Sequence, residues 1–287
     1  MHLLARCHWQ TDPVLHPTLL LVHGLEGSTS SKYMFGTAEK AFGAGFNVIR
    51  LNLRSCGGTE HLTPSLYHGG MSGDLRAVVK ELVERNHLPS IFLVGFSMGG
   101  NIVLKLAGEE ASTLPTEVSA FCAVSPVVDL SCCAEGIGYR STWVYEQYFL
   151  LSLRRRLRIK HELYPELYDT SELNLVRTIR DFDERYTAHH GGFKDADDYY
   201  RRASALPFIK HIRRPTLIIH AQDDPFVPFK PLNHSAVLDN SYVLLLAPAQ
   251  GGHVGFVADH VHEQDRFWAE NQIVKFCELL VESPRQS

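Results

Sequence analysis

Six runs of strand length, each nearly unbroken in apolar residues, recur along this 287-residue chain and constrain its fold more than any other feature. They are Thr18–Val22 (TLLLV), Phe46–Leu51 (FNVIRL), Ile91–Gly95 (IFLVG), Ala120–Val124 (AFCAV), Thr216–His220 (TLIIH) and Tyr242–Leu246 (YVLLL). A strand with one wet face alternates apolar and polar residues; a strand apolar throughout is covered on both faces, as in parallel sheets. Between the runs, Lys32–Ala44, Ser72–Arg85 and Met98–Ala107 carry apolar residues at helical spacing. In the second, Leu75, Val78, Val79 and Leu82 make one stripe, and Asp74, Arg76, Lys80 and Glu84 are expected to face water. Strand–helix alternation of this kind predicts an α/β chain with a mostly parallel, doubly wound central sheet and helices on both faces.

One interval breaks the rhythm. Residues 130–212 hold no run that reads as a buried strand and are rich in aromatic and charged residues. The pattern predicts several helices inserted into a single domain spanning 1–287. An insertion at the carboxyl end of a parallel strand lies over the crevice where such sheets bind ligands, so the segment reads as a cap. Within it, Arg154-Arg155-Arg156 reads as a solvated helix face and His189-His190 as a solvated loop.

Composition excludes several classes. A net charge of −4 lacks the basic face that a general nucleic-acid binder needs. The start, MHLLARCHWQ, has no basic stretch followed by a long apolar one, and no apolar run approaches a membrane span, so neither a secretory signal nor an integral membrane segment is expected. Six cysteines without C-x-x-C spacing suit a reducing cytoplasm better than a disulfide framework. Sixteen histidines form no metal-ligand spacing, and neither metal nor cofactor is expected.

The stretch IFLVGFSMGGN places Ser97 at a strand-to-helix junction inside G-x-S-x-G. Glycines at 95 and 99 let strand and helix approach closely, and the serine of such an elbow projects above the sheet edge. A serine hydroxyl needs a base, and the base needs an orienting acid, here in the chain order serine, acid, histidine. HAQDDPFVP follows the Thr216–His220 run, and QGGHVGF follows the Tyr242–Leu246 run. His253 is the candidate base. Asp224, immediately before Pro225, is preferred as the acid; Asp223 competes with it or supports it, and Asp129 is a weaker substitute. Two donors for a developing oxyanion are the Met98 amide, at the first turn of the helix, and the Leu25 amide in LVHGLEGS. His23 is expected to brace that loop through its ring.

Together LVHGLEGS, NLRSCGG (Asn52–Gly58), YHGG with GDL (Tyr67–Leu75), GFSMGGN, DDPFVP and GGHVGF resemble the YheT/EMB8-type branch of the alpha/beta-hydrolase superfamily. The segment FDERYTAHHGGFKDADDYYRRAS is similar to that branch too, so the resemblance runs from about Leu19 to Phe256. It implies an alpha/beta-hydrolase fold with a helical cap after the sixth strand. It also implies a cofactor-free carboxylesterase or lipid-ester hydrolase whose triad is Ser97, Asp224 and His253. Family members often carry a longer amino-terminal extension, sometimes with a membrane anchor; membrane anchoring is not expected here.

The leading expectation is therefore hydrolysis of small-molecule or lipid esters of short- to medium-chain acyl groups through an acyl-enzyme. The alternatives are transfer of the acyl group to an alcohol and, further off, a catalytically silent ligand-binding module. His23, Gly24, Cys56, Trp143 and Phe226 are the residues expected at the substrate site.

Overall fold

Thr18–Val22 (β2) is buried at every position because its two faces enter two different apolar layers. In this computed structural model, which describes residues 2–137, 142–259 and 265–282, Leu19 and Leu21 pack on one side and Leu20 and Val22 on the other. This is the period-2 geometry of a strand. The same two-sided burial holds for Asn47–Leu51 (β3), Ile91–Phe96 (β4), Val118–Val124 (β5) and Thr216–Ile219 (β6). Val243–Leu246 (β7), expected to be a buried strand, is only partly covered because it is the far edge of the sheet, and Leu244 is exposed. With Ala5–His8 (β1) they form one seven-stranded sheet in the order β1-β3-β2-β4-β5-β6-β7. All pairings are parallel except β1 with β3. The sequence pattern misses β1, ARCH, because this edge strand is exposed at each residue and carries no apolar run.

Helices α1 (Lys32–Gly43) and α11 (Trp268–Glu282) cover one face, where Met34, Ile273 and Cys277 meet Leu19, Phe92 and Val94. Helices α2 (Ser72–Glu84) and α3 (Met98–Glu109) cover the other, where Leu75, Val79, Ile102 and Leu106 meet Leu20, Leu93 and Phe121. Shortening any of these leucines to alanine costs about 2–5 kcal/mol. Asp74 does not face water as expected: it is buried, and both its oxygens pair with the Arg54 guanidinium, 2.6 Å from Nε at one of them. That pair ties α2 to the loop after β3.

Between β5 and β6 come α4 (Leu130–Ile137), α5 (Trp143–Leu163), α6 (Ile179–Phe182), α7 (Ala188–Gly191), α8 (Ala196–Ala203) and α9 (Leu206–Ile209). Of the expected cap, residues 138–141 lie outside the described residues. This insertion follows the fifth strand of the chain, not a sixth, because the chain enters the sheet through the single strand β1 before β2. It has its own apolar centre, in which Leu150, Leu153 and Leu157 of α5 meet Tyr168, Val176, Phe182 and Tyr186. Helix α10 (Ser235–Leu238) lies between β6 and β7. No helix among the described residues is long and apolar enough to cross a membrane.

Parallel register brings the strand ends to one edge. Val22 lies opposite both Leu51 and Gly95, Phe96 opposite Val124, Val124 opposite Ile219, and Ile219 opposite Leu246. The loops that follow these strands therefore emerge side by side.

Candidate active site

Ser97 joins β4 to α3 with φ 54° and ψ −118°, a left-handed backbone that is strained for a side chain with a Cβ. The turn closes because its flanks have no side chains: a Cβ on Gly95 would overlap the Gly99 carbonyl, and one on Gly99 would overlap the carbonyls of Val22 and His23. The Ser97 amide donates to Val124 O at 2.8 Å and its carbonyl accepts from Asn101 N at 3.1 Å, so strand and helix hold the turn from both sides.

His253 lies on the loop after β7. Its Nε2 is 3.0 Å from Ser97 Oγ and its Nδ1 is 2.8 Å from Asp224 Oδ2. A carboxylate only accepts, so Nδ1 carries the proton and Nε2 presents its lone pair to the serine hydroxyl. Asp224, buried on the loop after β6, also accepts at Oδ1 from the amides of Phe226 and Val227 at 2.9 and 3.0 Å. Burial works against its charge, but the hydrogen bond and charge of His253 and these two amides outweigh it, and the carboxyl titrates below its ordinary range. Asp223 faces away and does different work: its Oδ1 accepts from the amides of Gly251 and Gly252, both at 2.9 Å. It thereby pins the loop that carries His253, and the Ser125 hydroxyl donates to the His253 carbonyl from β5's side. Asp129 is elsewhere, capping the start of α4 through the Cys132 amide.

The loop after β2 is fixed by His23. Its Nε2 accepts from Leu53 N at 3.1 Å and its Nδ1 donates to Gly24 O at 2.7 Å, which requires a neutral ring; burial lowers its pKa to about 4. Gly24 packs against the serine, since a Cβ there would stand 2.9 Å from Ser97 Cβ. The Leu25 and Met98 amides have no acceptor among the described residues, and both residues border the same cavity as Ser97 and His253.

That cavity encloses about 950 Å³, its open mouth included. The insertion supplies much of its wall, with Ile137, Phe149, Leu153, Ile179 and Phe182 facing Leu25 and Val127 from the sheet side. Phe226 is part of the wall and stands edge-on to the His253 ring at 5.1 Å between centroids. The other four expected substrate residues are not: His23 and Gly24 are buried behind the wall, where they fix the loop after β2. Trp143 begins α5 with 57% of its surface exposed, pointing its bulk at solvent. Cys56 is sealed in the core beside Tyr67, where burial pushes its thiol up to about 12.

The arginine run is no solvated face at its third member. Arg156 is buried, with Nε and Nη2 on the two oxygens of Glu26 at 2.9 and 3.0 Å and Nη1 on Glu60 Oε1 at 3.2 Å. Tyr67 Oη donates to Glu26 Oε1 and accepts from the Glu26 amide, both at 2.8 Å. Glu26, held at φ 53°, directly follows Leu25. An inserted helix thus grips the loop that presents the Leu25 amide. The signal was present in sequence: Arg156 and Lys160 fall on the same helical face as Leu150, Leu153 and Leu157. Asp183, Tyr67 and His68 also line the cavity and were not singled out. Among the described residues no group of three metal-ligating side chains is placed to hold an ion.

The family profile described as alpha/beta hydrolase fold matches residues 17–259. The chain belongs to the alpha/beta-hydrolase family. Within the family it falls in the YheT/EMB8-type branch and is a carboxylic ester hydrolase. It is 34% identical to the protein named "Putative esterase YheT" of Escherichia coli K12 over 96% of this chain and 81% of that protein. It is 32% identical to the monoacylglycerol lipase of Saccharomyces cerevisiae over 93% of this chain, and spans 61% of that protein's length. Among solved structures, Est1E of Butyrivibrio proteoclasticus with ferulic acid bound superposes with a TM-score of 0.62 at 17% identity, covering 98% of this chain and 96% of that one. That last likeness is one of fold.

Proposed function

We propose that this alpha/beta hydrolase is a serine carboxylesterase in which Ser97 is the nucleophile, His253 the general base and acid, and Asp224 the orienting carboxylate. The observation that carries this reading is the hydrogen-bonded chain Ser97–His253–Asp224 opening into an apolar cavity. Ser97 Oγ attacks the ester carbonyl carbon as its proton passes to His253 Nε2. Asp224 stabilises the imidazolium, and the Leu25 and Met98 amides receive the oxyanion. The tetrahedral adduct then expels the alcohol, which takes its proton from His253. Water, deprotonated by the same ring, releases the acid and restores Ser97.

Of the expected cap, 130–212, the described part that lines the cavity, from Leu130 to Tyr200, acts as the cap that closes the acyl site, whereas Ala205, Ile209 and Ile212 pack in the main core beside α3. The mostly hydrocarbon wall supports short- to medium-chain acyl groups or lipid esters, and the similarity to a monoacylglycerol lipase supports the lipid end of that range. Six free thiols favour a reducing, cytoplasmic setting. The test is a series of acyl esters assayed on wild type and Ser97→Ala. In the wild type kcat/KM rises by about fourfold per methylene, the equivalent of about 0.8 kcal/mol, until the cavity is full. In Ser97→Ala turnover disappears for every ester. Undiminished turnover in that variant refutes the assignment.

A further inference from the structure

The cavity wall holds one carboxylate among its described residues, and the chemistry above does not use it. Asp183 opens a single π-helical turn, Asp183–Thr187, between α6 and α7, and both ends of that turn line the cavity. Tyr200 Oη donates to Asp183 Oδ2 at 2.8 Å. Burial pushes the Asp183 carboxyl up to about 6, while the Thr187 and Tyr200 hydroxyls and the Arg180 charge pull the other way. It forms no ion pair among the described residues. The single guanidinium among the wall's described residues, Arg156, is already engaged by Glu26 and Glu60.

An ionised carboxylate has about four acceptor positions, and the single Tyr200 hydroxyl at Oδ2 leaves acceptor capacity open. A polar group with unmet capacity in an apolar chamber is costly unless a ligand meets it. A neutral hydroxyl supplies the missing donor at lower desolvation cost than a cation, which sheds a strongly held hydration shell on entering an apolar chamber.

We propose that Asp183 is a specificity anchor that accepts a hydrogen bond from a free hydroxyl carried by the ester substrate. The inference rests on the Ser97 reading of the same cavity. It makes the enzyme selective for hydroxyl-bearing esters, such as those of glycerol or of hydroxy acids, over their deoxy counterparts.

The test compares kcat/KM within matched pairs for wild type, Asp183→Leu and the near-isosteric Asp183→Asn. One pair differs by hydroxyls on the alcohol side (1-decanoylglycerol against propyl decanoate), and one by a hydroxyl on the acyl side (ethyl 10-hydroxydecanoate against ethyl decanoate). A third pair differs by a cation, the choline ester against its 3,3-dimethylbutyl isostere. Wild type favours the hydroxylated member of at least one of the first two pairs by about tenfold or more. Asp183→Leu erases that ratio, its loss falling on the hydroxylated member, and Asp183→Asn keeps part of the ratio through its amide oxygen. An unchanged ratio in Asp183→Leu, an equal loss on both members of each pair, or an effect confined to the choline pair overturns the proposal. Failure of the Ser97 reading is seen separately, as plain-ester turnover that survives Ser97→Ala.

Discussion

The two walls of the cavity hold their polar groups by opposite means. On the sheet side, each reactive group is held by backbone nearby in the chain or at an adjacent strand end. Asp224 is oriented by the amides two and three residues ahead of it, and the His253 loop by Asp223 and Ser125 at neighbouring strand ends. On the inserted side, long side chains reach across the molecule: Arg156 clasps Glu26, 130 positions away, and Lys160 Nζ donates to the Glu60 carbonyl at 2.7 Å. Backbone donors cost no side-chain entropy and hold geometry closely, which suits atoms that must meet within hydrogen-bond distance. Long paired side chains bridge elements whose relative position the sheet does not fix. On the function proposed here, the difference separates a wall for chemistry from a wall for closure and selection.

The comparison yields a graded set of outcomes. Asp224→Asn should lower kcat by about 10⁴-fold, since the amide side chain favours the wrong His253 tautomer. Its thermal midpoint should stay close to that of wild type, because the amide keeps the acceptor for Phe226 and Val227; steady-state kinetics beside calorimetry read both. Arg156→Met should do the reverse in emphasis. It leaves Glu26 buried without its partner, costing about 3–5 kcal/mol of stability in urea titrations. It also loosens the Leu25 loop, with about a tenfold fall in kcat and little change in KM, and Arg156→Lys should restore only part because one ammonium cannot replace a bidentate fork. If Arg156→Met unfolds like wild type and keeps its kcat, the inserted wall does not grip the oxyanion loop. Trp143→Ala should change kcat/KM by less than about twofold, as expected for a solvent-facing side chain. A large loss there would put α5's outer face back into the site.

Legibility follows the same division. The buried strands, the Ser97 turn and the loops bearing Asp224 and His253 can be read from sequence because each is specified by residues close in the chain. Apolar runs mark covered strands, except that YVLLL marks β7, an edge strand with Leu244 exposed, and Gly95 and Gly99 mark the tight junction. The strand β1 escaped because it is wet on both faces, and Asp74 because its partner Arg54 lies on another element. Arg156 and Asp183 escaped for a related reason: a charged residue on an inserted helix reads as solvated until its partner, remote in sequence, is known. Trp143 was misjudged because aromatic content marks the insertion as a whole without saying which face of α5 turns inward; Phe149 and Leu153 do. The branch motifs carried the family and could not carry the position of the insertion after β5.

The central claim is that one side chain, Ser97, receives the acyl group. Treating the protein with a fluorophosphonate, digesting it and sequencing the modified peptide by mass spectrometry tests this directly. The account predicts one adduct per chain, on Ser97 in the peptide spanning IFLVGFSMGGN, and none after Ser97→Ala. An adduct on any other residue, or labelling that persists in Ser97→Ala, contradicts it.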